Sequence, residues 1–281
     1  MIQSFLLIGQ SNMAGRGIQN SVPPIINESI KMLRNGRWQI MAEPLHNDRP
    51  MAGVGLASTF ASSWYADHLG QEIGLIPCAD GGTSLDDWQV GGVLFDHAVF
   101  QAKLAQRSSK LSGILWHQGE NDSSAEQAAK YVEKFEVIVR ELRNQSGAPE
   151  VPLIVGGLGD FLPNGLFGTH FRDYNMVNNA LQEYAASHSN CHFVTAKGLT
   201  ANEDQIHFNA PSLRKFGLRY YWAFNNDADV TEVLPDEDEL LEKIYGRKLS
   251  SNEQKFVLEV QFASGKITLH EFQEQIKLIT Q

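Results

Sequence analysis

The chain is poor in cysteine, in positive charge and in long apolar runs, and each shortage narrows what it does. Two cysteines, Cys78 and Cys191, occur among 281 residues. No disulfide framework follows, and their apolar surroundings mark them as buried core thiols, which suits a reducing compartment. The 33 acidic residues outnumber the 23 lysines and arginines, for a formal net charge of -10. Nucleic acid and anionic membrane surfaces would be repelled, which leaves a neutral or weakly charged substrate as partner. No run of about twenty apolar residues exists to span a bilayer. The N-terminus has no basic segment and its apolar run is too short for a secretion signal, so residues 1–8 read as a first strand and a cytoplasmic location is expected.

Cofactor signatures are missing too. The run from Gly9 to Gly15 has neither the Gly-x-Gly-x-x-Gly spacing nor the Gly-Lys-Ser/Thr end of a phosphate loop. His46, His97, His117, His170 and His192 include no pair at i, i+4 and no matching carboxylate set, so neither a metal nor another cofactor is expected. The stretch from Ser264 to Glu271 imitates the second half of a calcium loop, but Val260 and Phe262 stand where oxygen ligands belong.

What is present is enough for a large core, since 42% of the residues are apolar. Short apolar runs alternate with helical stretches, the pattern of a parallel sheet covered on both faces. Strands are expected at Ser4–Ile8, Glu72–Cys78, Ser112–His117, Pro152–Leu158 and His192–Thr195. Helices are expected at Phe95–Gln106, Ala125–Asn144, Arg172–Ser187 and Ala210–Asn225, with apolar residues near i, i+3, i+4, as in Tyr131, Phe135, Ile138, Val139 and Leu142. The fold class is therefore a three-layer α/β/α sandwich with a mostly parallel sheet of about five strands.

Beyond Asn226 the composition changes. Residues 227–281 hold twelve acids against six bases and carry apolar stripes such as Leu240, Leu241 and Ile244. Two or three short amphipathic helices are expected there, forming a C-terminal helical appendage to a catalytic domain of residues 1–226. Their apolar faces need a partner, either the catalytic domain or a second subunit in a homo-oligomer.

Ser11 carries the chemistry. It lies in Gly9-Gln10-Ser11-Asn12-Met13-Ala14-Gly15, directly after the apolar run Phe5-Leu6-Leu7-Ile8. A serine on a sharp turn after a buried strand is how hydrolases expose a nucleophile, though Ser-Asn after a strand also serves as a plain helix cap. Far along the chain, Asp204-Gln205-Ile206-His207 offers an acid and an imidazole three residues apart, the base and its orienting carboxylate on one loop. Open parallel sheets bind ligands beyond their carboxyl ends, and each of these motifs follows an expected strand.

With the blocks Ile76-Pro77-Cys78-Ala79-Asp80-Gly81-Gly82-Thr83 and Leu115-Trp116-His117-Gln118-Gly119-Glu120-Asn121-Asp122 between them, these motifs resemble the SGNH, or GDSL-type, hydrolases, whose sheet is flavodoxin-like. The likeness is to the branch of sialate O-acetylesterases and acetylxylan esterases, carbohydrate esterase family six. It implies Ser11 as nucleophile, His207 as base and Asp204 as acid. It also implies an oxyanion hole from the N–H of Ser11, the N–H of Gly81 and the side-chain amide of Gln118, with Gly82 as the alternative glycine.

Glu120 is a second acid that could assist His207, or a structural carboxylate. Asn12, Gly82 and Trp88 are candidate substrate contacts, Trp88 as a stacking wall for a sugar or simply as core. The function implied is a serine esterase that removes acetyl groups from xylo-oligosaccharide or sialic acid type substrates through an acyl-enzyme. A lipase or thioesterase for longer acyl chains and a non-catalytic sugar-binding protein are the alternatives. Gln205 stands where the family often has glycine.

Overall fold

The computed structural model describes residues 1–280. The chain runs through β1 (Ile2–Gly9), α1 (Ser11–Ala14), β2 (Ile30–Arg34), β3 (Arg37–Ile40), α2 (Ala57–Asp67), β4 (Ile73–Pro77), α3 (Val93–Ala105) and β5 (Ser109–His117). It continues through α4 (Ala125–Ala128), α5 (Tyr131–Gln145), β6 (Leu153–Gly156), α6 (Tyr174–Ser187), β7 (Cys191–Val194), α7 (Ala210–Asn226), α8 (Glu237–Tyr245), α9 (Ser251–Ala263) and α10 (Leu269–Thr280).

One sheet holds all seven strands in the order β3-β2-β4-β1-β5-β6-β7. Every pairing is parallel except β2 with β3. Helices α2 and α7 pack together against one face, and α3, α5 and α6 cover the other, giving the expected three layers. Strand β1 is buried on both sides, with Phe5, Leu6 and Leu7 fully inaccessible. That is why it reads as a continuous apolar run rather than an alternating one.

The sheet has seven strands where about five were expected. The additional pair is the β2–β3 hairpin, closed by Asn35 (φ 51) and Gly36 (φ 73). Consecutive left-handed residues suit the twist of a two-residue hairpin, and Asn-Gly is its sequence signal. Helix α2 is also additional. Residues on nearly every side of it, among them Ala57, Thr59, Phe60, Ala61 and Trp64, are buried between the sheet and α7, so it carries no clear apolar stripe. The helix expected over 125–144 is broken at Ala129-Lys130 into α4 and α5.

The tail is joined to the sheet at its start. Val230 forms a parallel bridge with Val194 of β7, extending the sheet. Helix α8 then docks on α7 through Arg219 and Glu237, an ion pair with side chains 1% and 4% exposed. Helix α9 is tied to the loop before β2 by Ser250, whose hydroxyl donates to Glu28 at 2.7 Å, while α10 packs on α9. Cys78 and Cys191 are free and buried, and burial pushes the Cys191 thiol up to about 12.

The strand order reverses at β1: the chain moves one way to β2 and β4 and the other way to β5, β6 and β7. The crevice beyond the carboxyl end of such a strand is where open sheets bind ligands. Ser11 sits in that crevice.

Candidate active site

Gly9 makes the turn that presents Ser11. Its φ is +131, and a Cβ there would lie 2.0 Å from the His117 carbonyl oxygen, so only glycine lets β1 pass this close to β5. Gln10 N–H then donates to that carbonyl (2.9 Å), and α1 starts at Ser11. The backbone N–H of Ser11 makes no hydrogen bond within the described residues.

His207 arrives from the loop before α7. Its Nε2 is 3.0 Å from Ser11 Oγ, and its Nδ1 is 2.7 Å from Asp204 Oδ2. The other oxygen of Asp204 accepts the backbone N–H groups of Ile206 (2.9 Å) and His207 (3.0 Å), so one carboxylate folds the loop and orients the ring. Burial works against ionisation of Asp204, but the His207 hydrogen bonds and those from the backbone outweigh it and hold the carboxyl below its ordinary range. Gln205 adopts φ 54, a left-handed conformation that glycine, the residue the family resemblance leads one to expect here, would adopt without strain. Asn202 Nδ2 donates to the Arg16 carbonyl at 2.9 Å, tying this loop to the turn after Ser11.

An imidazole between a carboxylate and a hydroxyl is equipped to take the hydroxyl proton and return it to a leaving group. Negative charge would develop beside Ser11, whose own N–H is unbonded; the Gly82 N–H, next to the Gly81 that approaches Ser11, is also unbonded among the described residues. The N–H of Gly81 is committed instead to Asp48 Oδ2 at 2.9 Å, which corrects the choice of Gly81.

Gln118 does not serve the site. It is fully buried, and its Nε2 donates to Asp122 (2.5 Å) and to the Thr83 carbonyl (3.1 Å). Tyr131 donates to its Oε1 at 3.0 Å, so the whole carboxamide is spent on the core. The amide at the mouth belongs to Asn121, three residues on, which is exposed and donates one N–H to the Gly82 carbonyl at 2.9 Å. Nothing in composition separates the two amides. What does is the turn at Gly119, whose φ of 144 redirects the chain.

Glu120 does not touch His207. It is 2% exposed and accepts from Asn12 Nδ2 (2.5 Å) and approaches His117 Nε2 (3.3 Å). Burial opposes its charge, yet the bonds from His117 and Asn12 keep the carboxyl below the usual range. Asn12 is likewise internal rather than a substrate contact: its Nδ2 also donates to the Ile206 carbonyl (3.2 Å) and its Oδ1 accepts the Phe208 N–H (3.0 Å). Trp88 is 1% exposed, donates to Thr83 Oγ1 at 3.1 Å and meets Trp116 edge to face, so it is core and no sugar wall. Of the proposed contacts, only Gly82 is exposed at the mouth. A groove of about 690 Å³ runs from the site past Arg16, Met51, Glu203, Asp204 and His207.

Among the described residues no group of three or more His, Cys, Asp or Glu is placed to hold a metal, and no helix is long and apolar enough to cross a membrane. This sheet and the site at its switch point define an SGNH-type hydrolase fold. Residues 1–226 match the family described as carbohydrate esterase, sialic acid-specific acetylesterase, and the chain belongs to that family. It is accordingly a carboxylic ester hydrolase.

Among its relatives, a probable carbohydrate esterase of Arabidopsis thaliana is 29% identical over 245 residues, covering 79% of this chain and 90% of that protein. A solved structure of an Arabidopsis thaliana protein superposes with a TM-score of 0.71 at 29% identity, covering 80% of this chain and 98% of that one. NanS shares the fold at a TM-score of 0.64 and 16% identity, over 80% of this chain and 97% of its own. A carbohydrate acetylesterase from Xanthomonas citri does so at 0.57 and 16%, over 88% of this chain and 57% of its own.

Proposed function

We propose that the protein is a serine acetylesterase that deacetylates neutral carbohydrates through an acyl-enzyme. The observation that carries this reading is the unbroken line from Asp204 through His207 to Ser11, with contacts of 2.7 and 3.0 Å, opening beside unbonded N–H groups. His207 Nε2 takes the Ser11 proton as Oγ attacks the acetyl carbonyl. The Ser11 and Gly82 N–H groups and the second N–H of Asn121 Nδ2 receive the oxyanion. Collapse breaks the ester bond, and His207 returns its proton to the departing sugar oxygen. Water then gives a proton to His207 and its oxygen to the acyl carbon; acetate leaves and Ser11 recovers its hydrogen. Asp204 fixes the tautomer throughout and stabilises the imidazolium.

Acetyl as the acyl group is supported by the similarity to carbohydrate acetylesterases. Preference for a neutral sugar is supported by the charges around the mouth. Arg16 is paired with Asp48 (2.5 Å) and Arg49 with Asp80 (2.8 Å), while Glu203 lines the groove without an ion pair among the described residues and Asp204 is engaged by His207. A sialate carboxylate would meet arginines already neutralised and a negative rim.

The test is hydrolysis of 4-nitrophenyl acetate, butyrate and octanoate by the wild type and Ser11→Ala, followed by acetylated xylo-oligosaccharides against 9-O-acetyl sialic acid. Acetate activity that depends on Ser11 and falls with chain length supports the reading. A rise towards octanoate favours a lipase, absence of Ser11-dependent turnover favours a binding protein, and preference for the sialate overturns the charge argument.

A further inference from the structure

The two glycines at the mouth are gripped at three of their four backbone polar groups. Gly81 N–H donates to Asp48 Oδ2 at 2.9 Å. Gly81 C=O accepts from Arg49 Nη2 at 2.9 Å, and Gly82 C=O accepts from Asn121 at 2.9 Å. The fourth group, the Gly82 N–H, is left without a partner among the described residues. A turn of two glycines is among the most flexible pieces of backbone a chain can contain. Here its conformation is imposed from outside, and the donor left over belongs to the residue next to Gly81, whose Cβ would lie 3.5 Å from the Ser11 Cβ.

The grip originates in an ion pair beneath the turn. Arg16 and Asp48 have side chains 3% and 3% exposed. Arg16 Nη1 also donates to the Gly15 carbonyl (2.9 Å) and to Asp48 Oδ1 (3.2 Å), so the arginine is anchored to the segment that carries Ser11. A Cβ on Gly81 would lie 2.4 Å from Arg16 Nη2, 3.0 Å from Asp48 Oδ2 and 3.5 Å from the Ser11 Cβ. The pair is therefore bonded to both the segment that carries Ser11 and the glycine turn, where the two approach each other. A buried pair of this kind contributes little to stability compared with apolar side chains of the same volume, so its presence calls for another account.

We propose that Arg16 and Asp48 form a positioning pair for the oxyanion hole. Asp48 holds the Gly81 N–H so that the neighbouring Gly82 N–H is presented, and Arg16 ties Asp48 to the Ser11 segment. Neither side chain touches the reacting atoms; both act through the glycine turn. The inference rests on the serine esterase reading for its chemistry, and the pair lies outside the four blocks that carry the family resemblance, except that Arg16 follows directly on the first.

The experiment compares two neutralised pairs. In Arg16→Met/Asp48→Leu both charges are replaced by apolar groups of similar size, so folding survives but nothing accepts the Gly81 N–H. In Arg16→Met/Asp48→Asn the Asn oxygen can still accept it. Two readouts are taken beside thermal unfolding: kcat and KM on 4-nitrophenyl acetate, and the affinity for phenylboronic acid, whose tetrahedral adduct with a serine resembles the oxyanion intermediate.

The leucine variant is expected to lose roughly 100-fold in kcat, the scale of one oxyanion donor, with KM within about twofold, and to lose boronate affinity in parallel. The asparagine variant should recover at least about ten-fold of both. A folded leucine variant with wild-type kcat and boronate affinity would overturn the proposal, as would two variants equally impaired. Wild-type protein that binds the boronate through Ser11 but hydrolyses no ester would sink the esterase reading while leaving the positioning role standing.

Discussion

Asn12 holds the main chain on both sides of His207: its Nδ2 donates to the Ile206 carbonyl at 3.2 Å and its Oδ1 accepts the Phe208 N–H at 3.0 Å. The residue after Ser11 thus fixes the height of His207 over it. Behind Asn12 stands Glu120, then His117, whose Nδ1 lies 3.3 Å from the Tyr220 hydroxyl. A polar chain running into the core makes the position of His207 a property of the whole sheet edge.

Replacing Asn12 should therefore act on catalysis rather than on binding. Asn12→Ala is expected to lower kcat on 4-nitrophenyl acetate by about 100-fold, since misplacing a catalytic group by an ångström costs that much, with little change in KM. Glu120→Gln keeps a partner for Asn12 and should cost less. Steady-state kinetics beside thermal melts check both; equal losses in the two variants would show that Glu120 does more than hold Asn12.

The two amides of the third block should separate in opposite senses. Asn121→Ala is expected to reduce kcat about 100-fold with an unchanged melting temperature, as for loss of an oxyanion donor. Gln118→Ala leaves the Thr83 carbonyl unsatisfied in the core and Asp122 with only the Leu85 N–H as donor among the described residues, and should cost on the order of 2 kcal/mol of stability. Urea unfolding and kcat on both variants decide the point; a fully stable, inactive Gln118→Ala would restore Gln118 to the oxyanion hole.

Stability should fall with acid in a defined window. Burial pushes the His46 imidazole from 6.5 down to about 4, so it is neutral in the fold while the unfolded chain takes up a proton below 6.5. The unfolded state then binds more protons, and stability present above pH 6.5 is lost progressively as pH falls towards 4, by about 3 kcal/mol in all. His46→Leu should flatten the curve of unfolding free energy between these pH values. Below that window the lowered carboxyls of Asp48 and Asp204 add their own loss, since a depressed acid stabilises only above its folded value.

Truncation should reveal where the catalytic unit ends. Stopping after Asn226 removes Glu237 and leaves Arg219 buried without its carboxylate, at an expected cost of about 3–5 kcal/mol. Stopping after Gly265 removes only α10, which packs on α9, and should move the melting temperature by no more than about 2 °C. Calorimetry of the two shortened chains measures this, and equal stability would show that 227–245 is dispensable.

Much of the fold was legible because its cause is local. The five expected strands, β1, β4, β5, β6 and β7, are buried along most of their length, so their apolar runs are nearly uninterrupted, and Ser11 and the Asp204 loop each follow one of them. The hairpin at Asn35-Gly36 had a local signal too. Helix α2 had none, because a helix buried on nearly all sides has no stripe to read. In the site, residue types were readable and directions were not: Gln118 and Asn121 are alike in chemistry, and Gly81 and Gly82 are identical.

By itself the sequence determined the layer order, the turn at Ser11 and the pairing of Asp204 with His207, since three residues of loop suffice to bring carboxylate and imidazole together. Only the tertiary structure decided which amide is exposed and which glycine keeps an unbonded N–H, that Glu120 supports Asn12 instead of His207, and that Arg16 meets Asp48. Those choices depend on a side chain's direction and on contacts across 32 to 196 positions. Such contacts exist only once the sheet has brought the strand ends together.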